Sequence, residues 1–253
     1  IIMQIFDFDG LDNIIQSLTI FQDGTDDYSS FTFHPHDPCQ LLTVSHSHPR
    51  YIEDGRALCK FSFDEDGNQI NDEFGNLLKY DSLGRLLCVE VESSGTPVSS
   101  FRYDSHNQLI ASQYKNESER LRMYEGIQLV GTLQDNIHTQ LFRNTDQALG
   151  QQRPDDAGQT LLFMTDANRS IVAHSQQDTV TTASYDAYGG TGEWPLDSVL
   201  AYNGEVREAG SGWYLLGKGY RAYNPSLRRF HSPDSFSPFG VGGLNPYVYC
   251  LGN

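Results

Sequence analysis

The pattern that decides the fold lies in residues 76–92, NLLKYDSLGRLLCVEVE. Two runs rich in apolar and β-branched residues flank a short polar segment, which is typical of a β-hairpin. Tyr80 ends the first run, and Asp81 opens the turn because its carboxylate accepts hydrogen bonds from backbone N–H groups ahead of it. Gly84 provides a residue for which a positive φ costs little. The sequence therefore predicts two antiparallel strands joined by a turn at residues 82–84.

The same phrase recurs along the chain as an aromatic residue, Asp, variable residues, then Gly or Asn and an apolar residue. Copies are FDGLDNI from Phe8, FDEDGNQI from Phe63, YDSHNQLI from Tyr103, YDAYGG from Tyr185 and a looser FMTDANRSIV from Phe163. A strand–turn–strand unit repeated in this way predicts an antiparallel array in which each hairpin stacks on the one before it.

Composition supports β structure and argues against two classes of partner. Aromatic residues make up 12% of the chain, with 14 Tyr and 14 Phe, and such residues suit a pleated, half-buried surface. The formal net charge of −16 repels phosphate backbones, so we expect no nucleic-acid partner. No apolar run approaches the roughly 20 residues of a membrane helix, so we expect no membrane insertion by this segment. No signal peptide is visible at the N-terminus.

Three features bear on the organisation of the chain. Residues 142–159 are polar and are predicted to form a loop or a boundary, and residues 116–126 suit either a short helix or a pair of strands. The chain begins inside a strand-like run and stops just after the apolar run YVYCL. We therefore expect it to be a piece of a longer polypeptide.

The phrases described above resemble the YD repeats of the RHS family, and the tail from residue 196 resembles the RHS-associated core domain. We accordingly divide the chain into a YD-repeat shell segment, residues 1–195, and a core domain, residues 196–253, that stops before the family's cleavage motif. The residues that carry the tail resemblance are Trp213, Tyr214, Arg221, Tyr223, Pro225, Arg229, Phe230, Asp234, Gly243, Leu244, Asn245, Tyr247 and Tyr249.

Within the family, this sequence is similar to the C component of bacterial Tc (ABC) toxins. The resemblance implies both a fold and a function. Antiparallel YD-repeat hairpins would wind into part of a hollow all-β shell, closed by the core domain as a plug. The shell would hold a variable C-terminal toxin and release it by aspartic-type self-cleavage. Its partners would be the remaining shell segments and the enclosed toxin, with no cofactor and no metal, and delivery from a bacterium would use a non-classical route.

Two residues of this chain match catalytic positions of the family, Arg221 and Asp234. The resemblance implies a second aspartate several residues beyond Asn253, together with the cleavage motif. Aspartic proteolysis needs two carboxylates that share one proton, so this chain by itself is expected to be an incomplete peptidase. The alternative reading is structural: Asp234 forms a turn and arginines brace the plug. The sequence leaves open whether the protein is an enzyme.

A histidine-rich stretch, FHPHDPCQLLTVSHSHP, raises the question of a metal site. Two H-x-H pairs on adjacent strands would each direct both rings to one face, and imidazole and thiolate suit zinc or nickel. The spacing fits no named metal motif, so packed or solvated hairpin histidines are the other interpretation. The candidate ligands are His34, His36, Asp37, Cys39, His46 and His48.

The tail also carries a series of aromatic residues with two interpretations. Aromatic rings interleaved with Asn and Asp could stack on sugars, which would make the chain a glycan-binding or cell-surface-binding module with no catalytic role. A plug with a hydrophobic lining explains the same residues. The series comprises Trp213, Tyr214, Tyr220, Tyr223, Phe230, Phe236, Phe239, Tyr247 and Tyr249.

Overall fold

A computed structural model of the chain describes residues 1–145, 147–192 and 194–250. Strands hold 46% of the residues and helices 6%, which confirms the prediction of an antiparallel all-β fold. The chain forms two compact units. Unit 1 consists of Ile1–Val98 together with Leu227–Asn253, and unit 2 consists of Ser99–Ser226. The predicted division at residue 196 rests on a family resemblance and stays a prediction. The last three residues of the predicted core domain, 251–253, lie outside the described residues.

Unit 1 begins with an antiparallel sheet of five strands, each paired with the next along the chain. A two-stranded hairpin then follows, and the tail of the unit adds a short strand and a 3-10 turn. The elements are β1 (Met3–Phe8), β2 (Ile14–Ile20), β3 (Asp26–Phe33), β4 (Leu41–His46), α1 (Pro49–Glu53), β5 (Leu58–Lys60), β6 (Leu77–Tyr80), β7 (Leu86–Glu90), β19 (Arg229–Phe230) and a 3-10 turn (Gly240–Gly242).

Unit 2 is an antiparallel meander followed by a tail of short elements. The meander runs from β8, in which the boundary between the units falls, to β16. Its strands are β8 (Pro97–Tyr103), β9 (Leu109–Tyr114), β10 (Arg120–Glu125), β11 (Gln128–Gln134), β12 (Ile137–Arg143), β13 (Ala148–Arg153), β14 (Asp156–Thr165), β15 (Ile171–Gln176) and β16 (Thr179–Thr182). The tail contains a 3-10 turn (Tyr202–Gly204), β17 (Tyr214–Leu215), α2 (Leu216–Gly219) and β18 (Arg221–Asn224).

The strand bounds decide two predictions that were made from local sequence. The prediction of a loop at residues 142–159 is wrong, because β13 and the beginning of β14 lie there and the two strands pair with each other. Polar residues occupy strands at this point because strands of an antiparallel sheet need only one apolar face. Residues 116–126 contain strand β10 rather than a helix. Among the described residues, no helix is long and apolar enough to cross a membrane.

Each predicted YD-type turn has the same four hydrogen bonds, as the Asp81 turn illustrates. The carboxylate oxygen Oδ1 accepts the backbone N–H of Leu83 at 2.9 Å and of Arg85 at 3.1 Å. The backbone N–H of Gly84 donates to the carbonyl of Asp81, and the N–H of Asp81 donates to the carbonyl of Arg85, both at 3.0 Å. This set of bonds recurs at Asp9, Asp64, Asp72, Asp104, Asp166 and Asp186.

The third residue after each of these aspartates has a positive φ, which explains the Gly or Asn of the phrase. The value is +74° at Gly84 and +63° at Asn107. Arg169 adopts +71° at the corresponding position of the looser copy, where a side chain with a Cβ is strained. One turn was missed in the sequence, that of Asp72, because Asn71 rather than an aromatic residue precedes it.

Tyrosine hydroxyls tie successive repeats together through the backbone. Tyr185 donates its hydroxyl proton to the carbonyl of Ile171 at 2.9 Å, and Ile171 is the fifth residue after the turn aspartate Asp166. The same relation joins Tyr80 to Gln69 at 2.8 Å. A third pair, Tyr124 and Leu109 at 3.0 Å, repeats the relation after Asp104. Tyr80 and Tyr185 of the phrase, and Tyr124 outside it, therefore each satisfy a backbone acceptor of an earlier hairpin, whereas the Tyr103 hydroxyl donates to the later residue Gly219.

The segment that follows the meander in unit 2 lies against the sheet and completes an apolar core. Gln151 of β13 donates its side-chain amide to the carbonyl of Asp197 and accepts the N–H of Val199, and Ile171 donates its N–H to Ala201. The core residues are Leu129, Leu141, Ala148, Ile171, Leu196, Leu200 and Val206.

A buried ion pair joins the same segment to β10. Arg122 donates through Nη2 to the Glu208 carboxylate, and both side chains are almost fully buried. Removing one member would leave the other as an uncompensated buried charge, which is far more costly than losing the pair as a whole.

We expect Glu208→Ala to lower the free energy of unfolding by about 3–5 kcal/mol, measured by urea denaturation. The double variant Arg122→Met with Glu208→Leu is expected to lose less, because no unpaired charge is buried. Glu119→Ala is the matched control, since Glu119 pairs with Arg102 in a solvent-exposed position where an ion pair contributes about 0–1 kcal/mol. Equal losses for Glu208→Ala and Glu119→Ala would contradict this account.

The turn aspartates also predict a pH dependence of stability. Burial raises the pKa of Asp81, but the hydrogen bonds from Arg85 and the backbone outweigh it and lower the pKa overall. A lowered folded-state pKa means that the ionised carboxylate stabilises the protein above the unfolded pKa of about 4 and loses this contribution as the pH falls through the folded value. The free-energy difference between wild type and Asp81→Asn, about 1 kcal/mol at pH 7, should therefore shrink below pH 4. A difference that stays constant from pH 7 to pH 3 would mean that the charge plays no part.

Candidate functional site

Asp234 lies in the loop after β19 in unit 1 and forms a turn of its own. Its carboxylate oxygen Oδ1 accepts the N–H of Phe236 at 3.0 Å, and its carbonyl accepts the N–H of Ser237 at 3.0 Å. These two bonds match those of the repeat turns. The bond to the fourth residue has no counterpart, because Pro238 stands there and has no N–H. Asp234 thus has the turn role that the structural reading predicts, and its side chain is half-buried.

The backbone around Asp234 is fixed by the final tyrosine-rich stretch. The N–H of Asp234 donates to the carbonyl of Pro246 at 3.0 Å, and the N–H of Phe230 donates to Tyr247 at 2.9 Å. An antiparallel bridge between Arg229 and Val248 extends this pairing. Residues 229–234 and 246–248 therefore run side by side, and they close a loop that begins at Asp234.

Arg229 is the buried cation beneath this loop. Its Nη2 donates to the carbonyl of Cys39 at 2.5 Å, and its guanidinium lies 5.2 Å from the ring of Phe33 and 5.5 Å from the ring of Tyr247. Burial lowers the pKa of Arg229 to about 10, so the group is still protonated at neutral pH. Its role is to hold the tail of unit 1 to the loop that precedes β4.

Arg221 belongs to unit 2, where it begins β18. It forms an antiparallel bridge with Leu216, and its guanidinium lies 5.9 Å from the centre of the Tyr220 ring. The side chain is half-buried. Arg221 and Asp234 belong to different units, and their joint action in catalysis stays a prediction.

The histidine stretch forms a hydrogen-bonded cluster around one buried carboxylate. Oδ1 of Asp27 accepts the backbone N–H groups of Ser47 and His48, both at 3.0 Å. Oδ2 accepts the Ser29 hydroxyl at 2.7 Å and His46 Nδ1 at 2.8 Å. Burial raises the pKa of Asp27, but these bonds outweigh it and hold that pKa well below its usual range.

This cluster is structural in its geometry. Ser29 and Asp27 both approach the same ring nitrogen of His46, Nδ1, whereas a catalytic triad places serine and carboxylate on opposite nitrogens. His48 caps helix α1 by accepting the N–H of Arg50. Within residues 1–145, 147–192 and 194–250, no three His, Cys, Asp or Glu side chains are grouped so that they could hold a metal ion.

The aromatic series of the tail is largely internal. Trp213, Tyr214, Tyr223, Phe230 and Tyr247 are buried, so their ring faces are closed to a sugar. Hydroxyls from this series satisfy backbone carbonyls, as Tyr223 does with Tyr188 at 2.8 Å. The five buried rings match a packed lining, and Phe236 and Phe239 lie outside it with exposed rings.

No family model and no curated protein matches the chain in sequence, but solved structures match it in fold. The crystal structure of TcdB2-TccC3 without the hypervariable C-terminal region has a TM-score of 0.61 and 15% identity over 98% of this chain. The TcdB2-TccC3-Cdc42 structure has a TM-score of 0.62 and 18% identity over 99% of this chain. A Tc holotoxin pore of Photorhabdus luminescens with a mutated TccC3 has a TM-score of 0.59 and 16% identity.

These similarities show that the chain has a Tc-toxin-like fold. The chain spans about 15% of the length of each of these matched chains.

The Asp27 cluster leads to a prediction about stability. We expect Asp27→Ala to lower the free energy of unfolding by about 3 kcal/mol or more, since four donors lose their acceptor in a buried site. Asp37→Ala is the control, because the Asp37 carboxylate accepts the N–H of Cys39 two residues ahead in a half-buried position, and its loss should change stability little. Urea denaturation at pH 7 compares the two, and a small effect of Asp27→Ala would refute the structural assignment.

Proposed function

We propose that this chain is a segment of an RHS-type β shell that encloses a toxic C-terminal polypeptide. The observation that carries the proposal is the repeated turn, with one set of four hydrogen bonds at seven aspartates and tyrosine hydroxyls bonded to earlier hairpins. Such a unit extends a sheet indefinitely without needing a large core of its own. The similarity to TcdB2-TccC3 over nearly the whole chain supports the same conclusion.

The shell's partners in this proposal are other segments of the same assembly and the polypeptide inside it. The matched chains belong to Tc toxin complexes, and this chain would pair with the remaining shell segments of its own polypeptide or a companion. We further propose that the assembled protein is delivered out of a bacterium as a toxin component.

The second part of the proposal is that the complete polypeptide releases its cargo by self-cleavage, with Asp234 as one of two carboxylates. One carboxylate, ionised, takes a proton from a water molecule as the water oxygen attacks the scissile carbonyl carbon. The other, protonated, donates its proton to the carbonyl oxygen. Collapse of this intermediate breaks the C–N bond, and the nitrogen leaves with a proton.

Arg221 would stabilise the negative charge that develops on the carbonyl oxygen during this reaction. The second aspartate is expected beyond Asn253, on the strength of the family resemblance. The Asp234 side chain is half-buried, and its Oδ1 accepts the turn N–H of Phe236.

The decisive experiment uses the complete polypeptide encoded by the gene that contains this segment. Wild type should yield two fragments on a denaturing gel, and Asp234→Asn should abolish cleavage, because an amide keeps the shape of the side chain but cannot share a proton. Arg221→Ala should slow cleavage at least about 10-fold. Asp166→Asn is the matched control, since it makes the same change in a repeat turn and should leave cleavage intact.

Cleavage of Asp234→Asn at the wild-type rate would show that Asp234 is a turn residue only. Enclosure is tested separately by limited trypsin digestion of the native protein. A C-terminal fragment that survives digestion in the native state and is degraded after unfolding supports the shell, and equal degradation in both states would refute it.

A further inference from the structure

The loop that begins at Asp234, residues 234–246, carries three large apolar side chains that face solvent. Phe236 is 67% exposed, Phe239 82% and Leu244 68%. Apolar burial is the usual way to fix a loop on a protein, and this loop does not use it at these positions. Polar contacts near the end of the loop hold it in place instead.

The first contact is made by Asn245 with the Asp9 repeat turn. Nδ2 of Asn245 donates to the carbonyl of Leu11 at 2.9 Å and to Oδ1 of Asn13 at 2.7 Å. Oδ1 of Asn245 accepts the N–H of Tyr247 at 3.1 Å. Both asparagines are buried, so these bonds replace hydration that the side chains have lost.

Asn13 is in turn held rigidly by its own turn. Its Nδ2 donates to Oδ2 of Asp9 and to the carbonyl of Pro38, both at 2.9 Å. Every polar atom of the Asn13 side chain is therefore occupied, and only one amide orientation satisfies all of them. The turn presents a fixed acceptor to Asn245.

The second contact is made by Tyr247 with the Asp64 repeat turn. Its hydroxyl donates to the carbonyl of Gly67 at 2.7 Å. A Cβ at Gly67 would lie 2.8 Å from this hydroxyl oxygen and 3.4 Å from Cγ of Pro233. Gly67 also has φ of +83°, so both the turn and the close approach require glycine. Nearby, Gln69 donates its N–H to the carbonyl of His231 at 2.7 Å.

The two contacts flank the residue that holds Asp234. Pro246 lies between Asn245 and Tyr247, and its carbonyl accepts the Asp234 N–H at 3.0 Å. We propose that Asn245 and Tyr247 are positioning residues that fix the candidate catalytic Asp234 by docking its loop onto the Asp9 and Asp64 repeat turns. The shell repeats would then do more than enclose space, because two of them set the place of a reacting group.

The catalytic part of this inference rests on the proposed function, whereas the docking itself does not. A displacement of about 1 Å at a reacting group is enough to slow a reaction by about 100-fold. Loss of one docking bond should therefore affect cleavage more than it affects global stability.

Docking is tested on the chain as it stands by hydrogen exchange. In Tyr247→Phe, the amides of Asp234 and Ser237 should exchange about 10-fold faster than in wild type, while amides of β2 and β3 keep their rates. Gly67→Ala should reproduce this local change from the other side of the contact. Tyr185→Phe is the matched control, because it removes the same kind of hydroxyl-to-carbonyl bond in unit 2 and should leave the loop amides unchanged.

Catalytic positioning is tested in the complete polypeptide at a temperature where all variants are folded. Tyr247→Phe should slow self-cleavage at least about 10-fold and shift the pH dependence of its rate, since the separation of two carboxylates sets their shared titration. Tyr185→Phe should do neither. Asn245→Asp should behave like Tyr247→Phe, because a carboxylate cannot donate to Leu11 or Asn13.

The possible outcomes distinguish the docking of the loop from the catalytic positioning of Asp234. Unchanged exchange at Asp234 in both Tyr247→Phe and Gly67→Ala overturns the docking inference, whatever the cleavage result. Faster exchange combined with no cleavage by wild type refutes the proposed function and leaves the docking established. Faster exchange with an unaltered cleavage rate and pH profile overturns the positioning role.

Discussion

The fold of this chain depends on one interaction, a carboxylate oxygen that accepts two backbone N–H groups ahead of it. Those donors lie in a turn where no strand partner is available, and an unpaired backbone donor is costly when it is partly buried. The same oxygen also fixes the direction of the return strand, because it holds the second and fourth residues after the aspartate. Seven repetitions of this arrangement give the two units a common hairpin geometry.

Stacking of the hairpins depends on a second polar contact rather than on hydrophobic burial alone. A tyrosine ring packs on the sheet face, and its hydroxyl reaches a carbonyl of an earlier hairpin, as Tyr185 does with Ile171. Aromatic residues with a polar end suit this position because they bury area and satisfy a backbone group at once. The buried pair of Arg122 and Glu208 adds a polar contact between β10 and the segment that follows the meander.

The tail of unit 1 uses the same elements for a different purpose. Asn245 binds the Asp9 turn and Tyr247 binds the Asp64 turn, so two repeat turns serve as fixed acceptors for a loop far along the chain. Asp234, which begins that loop, keeps two of the four repeat-turn bonds. Pro238 at the fourth position lacks an N–H, and the Asp234 N–H donates to Pro246 instead.

The sequence by itself determined the features whose causes are local. The turn at Asp81 was predictable because its donors lie two and four residues away and Gly84 supplies the positive φ. Antiparallel β structure followed from the repetition of that turn. The sequence pattern did not predict the Asp72 turn, because Asn71 replaces the aromatic residue there. The aromatic residue packs on the sheet but is not needed for the turn. Likewise, the polar run at residues 142–159 predicted a loop although β13 and the beginning of β14 lie there, because only one face of an antiparallel strand has to be apolar.

Only the tertiary structure decided which distant groups meet. The sequence favoured hairpin histidines over a metal site, and the structure shows that Asp27, on another strand, accepts His46 Nδ1. Asn245 and Tyr247 matched a family pattern, but their partners Asn13 and Gly67 lie 232 and 180 positions away. No local signal marks such pairs, because a side-chain amide or hydroxyl satisfies any acceptor in reach. Which acceptor is in reach depends on how the strands are stacked, and that is a property of the folded chain.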